Sequence, residues 1–301
     1  MGGAEYTAQH SQKTSASNIG IGDKVASYTE RILILCKTYP SPSAKYAETS
    51  CVAGMTADGR FIRLYPVPFR LVADDQQFRK WQWITARIEK ARDDHRPESH
   101  RIFVDTIECD PEPLPSGRTG WPARAELLAK LQLFSNFADV QKAQEDQGIT
   151  LARLRPTRIL GLDIRKTDNP IWTNYEKEKL LRLQRQSELF DEVEEGKQIR
   201  LLEKLPFDFY YRYECHIDGQ SFAYKHKIVD WEVGALFRTV RRQHGEAWEA
   251  PLRKKLEQEL PSRDLQFLLG TIHRFPHQWL LISLIYPPKP QLENQNQELL
   301  F

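Results

Sequence analysis

The sequence predicts a mainly β protein with helical additions, of the α+β class. Three observations carry this. Short apolar and β-branched runs recur between residues 31 and 109 with no crossover helix among them. The pattern turns helical from Gly120, and strand character returns at 153–167 and again from 207.

RILILC (31–36) reads as the first strand. A loop, KTYPSPSAKYAETSC (37–51), leads into TSCVAGMTADGRFIRLYP, where Asp58-Gly59 signals a two-residue hairpin because both residues tolerate positive φ. That turn would set Met55 opposite Ile62 and Ala53 opposite Leu64, an apolar face that includes Cys51. Phe61, Arg63 and Tyr65 would line the other face, opposite Thr56, Gly54 and Val52. WQWITARIEKA (81–91) and RIFVDTIEC (101–109) form a further pair across the polar RDDHRPESH. Strands this close together suit a small closed barrel, since parallel neighbours need a crossover of a dozen or more residues.

Pro122 suits a first helical position, and AELLAKLQLFSNFADVQKAQE reads as helix up to Gly148. RILGLDIRKT (158–167) then echoes RILILCKT (31–38), a hint of two related halves. The charged segment 174–204 reads as a helical insertion. FDFYYRYECHID and SFAYKHKIVD return to strand, and Asp230 is placed to cap the helix WEVGALFRTVRRQHG. Val233, Leu236, Phe237 and Val240 make its apolar stripe, with Arg238, Arg241 and Arg242 off it. A helix around AWEAPLRKKLEQEL precedes the hairpin-like pair LQFLLGTIH and QWLLISLIYP. The expected organisation is a disordered tail (1–28), an N-terminal barrel (29–115), a helical connection (116–150), a C-terminal domain (151–289) and a polar tail (290–301).

A chain with 40% hydrophobic and 28% charged residues is expected to be soluble, and no apolar run is long enough to span a membrane. The N-terminal stretch lacks the apolar segment of a secretory signal, and Cys36, Cys51, Cys109 and Cys215 form no CxxC pair, so a cytoplasmic protein with reduced thiols is expected. A formal charge of +2 does not by itself mark a nucleic-acid binder, so any basic surface must be local.

Chemistry concentrates first in the 37–51 loop. In a five-stranded OB barrel the first inter-strand loop and the strand 2–3 face contact oligonucleotides. Lys37, Tyr39, Lys45 and Tyr46 stand in that loop, with Phe61, Arg63 and Tyr65 on the adjoining strand. Aromatic rings offer stacking surfaces to bases and arginine pairs with phosphate. The competing reading packs Phe61 and Tyr65 under the helix at 121–146 and makes the loop a lid on the barrel mouth. Arg70 would add a phosphate contact, and Arg241 and Arg242 would extend the basic track.

Cys215, His216, His226 and His273 match no standard zinc spacing, so no metal or other cofactor is expected. Asp93, Asp94, His95 and Glu98, or His226, Asp230 and Glu232, are the alternative sites for a metal-dependent nuclease or acid–base chemistry. Phosphate-loop, dinucleotide, nucleophile-elbow and HExxH signatures are absent.

The segments KTYPSPSAKYAETSCVAG, DGRFIRLYPVPFR, RPES (96–99), LEKLPFDFYYRYEC, HKIVDWEVGALFR, DLQFLLGTIHRFPHQW and LIYPP resemble a group of bacterial dual OB-fold domain proteins. The resemblance implies two OB-like small β-barrels joined by a helical segment. It also implies nucleic-acid binding, in a prokaryotic defence or mobile-element system, and supplies no catalytic residues, so a non-catalytic binder is the first expectation. The runner-up is an interaction subunit whose OB folds meet a partner protein, a nuclease or ATPase of the same system. The group's further cysteine before the histidine at 226 is missing from CHIDGQSFAYKH, which weakens a metal role for Cys215 and His226.

Overall fold

The computed structural model describes residues 26–38, 50–67, 76–117, 119–168, 170–171, 173–174, 178 and 204–289. The segments expected to be tails, nearly all of 174–204 and most of the 37–51 loop lie outside the described residues.

The first barrel comprises β1 (Tyr28–Lys37), β2 (Ser50–Thr56), β3 (Phe61–Val67), β4 (Trp83–Lys90) and β5 (Ser99–Ile102). The strand order is β1-β2-β3-β5-β4, and β1 closes the ring by pairing with β4. β1 is long enough to serve both neighbours: Ile32 to Lys37 face β2 and Tyr28 to Leu33 face β4. β3 and β5 run parallel, and every other pairing in the ring is antiparallel. This is the Greek-key circuit of an OB barrel. Ile32, Ile34, Val52, Ile62, Leu64, Ile84 and Ile88 fill its interior. The run RIFVDTIEC is not one strand: a 3-10 turn at Val104–Thr106 separates β5 from a short β6 (Glu108–Cys109) that joins the β4 edge.

The expected single helix after Gly120 is two, α1 (Trp121–Ala129) and α2 (Phe137–Gln147), with the two-residue β7 (Leu133–Phe134) between them. Asn136 explains the restart, because its side-chain oxygen accepts from the Asp139 N–H at 2.8 Å and caps α2. Gly148, at φ +71°, ends α2 where the sequence places the stop.

The second sheet runs β7-β8-β12-β13-β11-β10-β9. Its strands are β8 (Leu151–Leu154), β9 (Arg158–Lys166), β10 (Phe207–Ile217), β11 (Gln220–Ile228), β12 (Gln266–Ile272) and β13 (Phe275–Ile285). β11 and β13 are parallel, as β3 and β5 are in the first barrel. Reading β8 and β9 as one first strand broken at residues 155–157 gives the same circuit. β8 pairs with the fourth strand, β12, and β9 with the second, β10. The echoing segments RILILCKT and RILGLDIRKT therefore hold equivalent places, in β1 and β9.

Between β11 and β12 lie α3 (Trp231–His244) and α4 (Glu249–Arg253), the latter continuing as a π-helical stretch through Glu259. Asp230 caps α3 as expected, accepting from the Glu232 N–H at 2.8 Å. Val233, Phe237 and Val240 are buried and Leu236 packs at their side, covering the core of Phe209, Tyr211, Tyr213 and Phe267. Burying one such side chain stabilises by roughly 1.5–3 kcal/mol.

Candidate nucleic-acid interface

The hairpin that organises the expected site has a different register. Its loop is three residues, Ala57-Asp58-Gly59, closed by the Thr56 N–H donating to the Arg60 carbonyl at 2.9 Å. Gly59 at φ +89° supplies the left-handed residue that a three-residue loop needs. Met55 consequently faces Phe61, Ala53 faces Arg63 and Gly54 faces Ile62. Phe61, Arg63 and Tyr65 still share one face by strand periodicity, but it is the face shared with Met55 and Ala53.

That face is covered. Phe61 packs against the cluster of Leu33, Met55, Trp121, Leu128 and Leu131 beneath α1. Arg63 is 3% exposed, so it meets no phosphate. Its Nη2 donates to the Thr150 carbonyl at 2.9 Å and its Nη1 to the Thr271 carbonyl at 3.3 Å, both in the second domain. Tyr65 is 39% exposed. Tyr39, Lys45, Tyr46 and Arg70 lie outside the described residues. Lys37 is half-buried in a cleft between the domains, its Nζ donating to the Phe78 carbonyl at 3.1 Å. Arg241 and Arg242 sit in the last turn of α3, where Arg241 pairs with Glu246 at 2.7 Å and Arg242 is exposed. At about 1.5 Å per residue they stand roughly 15 Å along the helix from the end nearest Lys37. Among the described residues, Lys37 therefore stands apart from Arg241 and Arg242.

The DDHRPES loop ties the domains together. Arg96 grips Asp94 through Nε at 2.9 Å and Nη2 at 2.6 Å, and its Nη1 donates to the Thr271 carbonyl at 2.6 Å. Glu98 accepts from the Thr150 N–H at 2.8 Å and the Thr150 hydroxyl at 2.6 Å. Burial alone would raise the Asp94 carboxyl, but the Arg96 guanidinium holds it well below the usual carboxylate range. His273 lies 3.2 Å from Asp94.

His226 is a core residue. Its Nδ1 is 3.0 Å from the Tyr213 hydroxyl, its ring lies 4.5 Å from Phe137, and burial pushes it down to about 4. Cys215 is fully buried and His216 lies beside Glu214. Among the described residues no group of three or more His, Cys, Asp or Glu is placed to hold a metal ion.

The arrangement sought on β3 is present on the second barrel instead. β10 alternates strictly: Phe209, Tyr211, Tyr213 and Cys215 are buried, while Asp208, Tyr210, Arg212 and Glu214 point outward. Across the strands Tyr210 faces Lys227 and Asp163, Arg212 faces Lys225 and Gly161, Asp208 faces Arg165, and Glu214 faces Arg158. The Arg165 guanidinium lies 5.4 Å from the centre of the Tyr210 ring and the Lys225 ammonium 5.0 Å. This makes a cation–ring–cation row across three strands.

Gly161 leaves the space that Arg212 uses. A Cβ there would stand 3.0 Å from Arg212 Nη2, and its φ of +152° disfavours other residues. Five cations stand on this face among three carboxylates. Asp163 pairs with Lys225 and with Arg212 Nε at 2.8 Å, Lys227 with Asp208 at 2.8 Å, and Arg158 with Glu214 at 2.9 Å. Hydrogen bonds from Lys225 and Arg212 hold Asp163 below the usual carboxylate range, and Arg158 does the same for Glu214. The signal was in FDFYYRYECHID: period two alone places Asp208, Tyr210, Arg212 and Glu214 together.

A search of curated proteins finds no match. A solved structure, "Structure and Conformational Change of a Replication Protein A Heterotrimer Bound to ssDNA", aligns at a TM-score of 0.23 and 8% identity. The alignment covers 86% of this chain and 65% of that one. The family model Domain of unknown function (DUF8758) matches residues 28–130, which hold the first barrel and α1. Domain of unknown function (DUF8757) matches residues 134–301, more than half the chain, and the protein belongs to that family.

Proposed function

We propose that the protein is a non-catalytic binder of single-stranded or structured nucleic acid, and that the outer face of β9–β11 is its contact surface. The observation that carries this reading is the row of Arg165, Tyr210 and Lys225, with Arg212 opposite Gly161, on the strands equivalent to 1–3 of an OB barrel. In OB folds the strand 2–3 face binds oligonucleotides. Arg165, Arg212, Lys225 and Lys227 would meet phosphates while Tyr210 stacks on a base. The carboxylates already paired with these cations make the exchange for phosphate sensitive to salt. Lys37, Tyr39, Lys45, Tyr46, Tyr65, Arg70, Arg241 and Arg242 stay in the proposal as outlying contacts; Phe61 and Arg63 leave it because both are packed inside.

The two OB circuits also support membership of the dual OB-fold group, and the place in a prokaryotic defence or mobile-element system is proposed on the sequence resemblance to that group alone. A partner-protein reading, with a nuclease or ATPase, has its own observation: Phe275 is 60% exposed at the start of β13. No helix among the described residues is long and apolar enough to cross a membrane. A gel-shift panel of single- and double-stranded DNA and RNA at low salt tests the proposal. A shift with any of them supports it, and none at all transfers the function to the partner reading. Incubation of the same panel with magnesium or manganese tests the non-catalytic part, which cleavage would overturn.

A further inference from the structure

The cleft between the two domains is a second feature, built from elements separate from β9–β11. It has a volume of about 460 Å³. That lies within the usual range of small-ligand sites, which favour domain junctions. Cations come from three places on its wall: Lys37 at the end of β1, Arg79 and Lys80 in the connection before β4, and Lys255 after α4. Trp231 and Tyr286 supply flat apolar surface, with Leu236, Leu256 and Leu260 beside them.

The carboxylates of the cleft already have partners. Asp230, 3% exposed, accepts from the Glu232 N–H at 2.8 Å and from the Leu284 N–H at 2.9 Å. Glu232 takes the Lys80 ammonium at 2.7 Å, and Lys80 donates as well to the Leu284 carbonyl at 2.9 Å. The Lys37 ammonium, which donates to the Phe78 carbonyl at 3.1 Å, lies 5.7 Å from the centre of the Phe78 ring and 5.9 Å from that of Trp231. Burial pushes it down to about 8, and an anion in the cleft would reverse that. Arg79 is exposed at the rim.

We propose that this cleft binds a nucleoside monophosphate unit, its phosphate on Lys37 and Arg79 and its base against Trp231 and Tyr286. The unit has two sources, a free mononucleotide or the 5′-phosphorylated end of a strand. The first needs no bound strand, so the inference stands apart from the sheet-face reading.

Titration calorimetry of the full chain tests it with adenosine monophosphate, adenosine and inorganic phosphate, followed by one oligonucleotide carrying a 5′-phosphate or a 5′-hydroxyl. The mononucleotide, the phosphorylated strand end, or both bind at least tenfold more tightly than their counterparts lacking phosphate, and whichever of them binds outdoes inorganic phosphate. Lys37→Met and Arg79→Ala each weaken that binding at least tenfold, and circular dichroism checks their folding; Arg79, being exposed, serves if Lys37→Met misfolds. Preference for the phosphorylated strand alone assigns the cleft to strand ends. The proposal is overturned if neither ligand shows a phosphate-dependent preference, if inorganic phosphate binds as well, or if folded variants keep full affinity. The mononucleotide needs no strand and the 5′-hydroxyl strand has no terminal phosphate to offer the cleft, so the two readings fail separately.

Discussion

Replacing Arg63 and Arg96 singly and together should show that the two domains are held by a shared acceptor. Both guanidiniums converge on the Thr271 carbonyl, Arg63 Nη1 at 3.3 Å and Arg96 Nη1 at 2.6 Å. Arg63 also reaches the Thr150 carbonyl at 2.9 Å, but that oxygen keeps the Thr271 N–H at 3.0 Å when Arg63 is lost. Hydrogen bonds from a charged group contribute about 1.5–3 kcal/mol each, and an acceptor that keeps another donor avoids the full desolvation penalty. Arg63→Ala, which loses two such bonds, should therefore cost about 3 kcal/mol or more. Arg96→Ala should cost about 3 kcal/mol, because it also leaves the half-buried Asp94 without its guanidinium.

In the double variant the Thr271 carbonyl loses both charged donors, and the loss should exceed the sum of the singles by about 1 kcal/mol or more. Urea unfolding followed by tryptophan fluorescence and circular dichroism measures all four corners of the cycle. The two probes should stay coincident, because Leu33, Met55, Leu151, Leu268 and Ile282 keep one apolar cluster across the junction. Additivity within about 0.5 kcal/mol would refute the shared-acceptor account.

Three other perturbations test separate parts of the structure. His226 has its folded pKa lowered to about 4 by burial, so the unfolded chain takes up its proton first as pH falls. Stability should then drop between pH 6.5 and about 4, by about 3 kcal/mol in total, and His226→Gln should flatten that stretch of a stability–pH profile. Gly54→Ala places a Cβ 2.5 Å from the Leu33 carbonyl oxygen and 2.8 Å from Ile32 Cγ2. It should destabilise the first barrel by about 3 kcal/mol in denaturant titrations. Gly161→Val should push Arg212 from its place and weaken oligonucleotide binding about tenfold, at a stability cost of about 1–3 kcal/mol that leaves the fold intact.

The fold was more legible in the sequence than the site. Closely spaced strands, the cap at Asp230 and the stripe of α3 all follow from local patterning, and the structure has them. The split of the helical connection at Asn136 was also readable as a cap signal, but helix-forming neighbours on both sides masked it. The hairpin register turns on one residue: Asp58-Gly59 alone signals a two-residue loop, whereas Ala57 belongs to the loop and Gly59 closes it. That slip reassigns the partners of Arg63, yet even the right register would not reveal its fate. Arg63 is buried by Thr150 and Thr271, more than eighty residues away in sequence, and a tertiary contact of that kind leaves no local trace. The outward row of β10 could have been found by the same alternation applied to FDFYYRYECHID. Its cationic neighbours Arg165 and Lys225 became visible only when strand pairing set them beside Tyr210.

The central claim is that Arg165, Tyr210, Arg212, Lys225 and Lys227 form a nucleic-acid surface. Fluorescence anisotropy of a labelled single strand, repeated across a salt series, tests it most directly. Affinity of the wild-type chain should fall linearly in log–log form, and the Arg165→Ala/Arg212→Ala double variant should bind more weakly with a slope reduced by about 0.7 per lost phosphate contact. Tyr210→Ala should lose about 1–3 kcal/mol of binding with the slope unchanged, as removal of a stacking ring requires. A double variant that keeps both the affinity and the slope of the wild type would place the binding elsewhere and contradict the account.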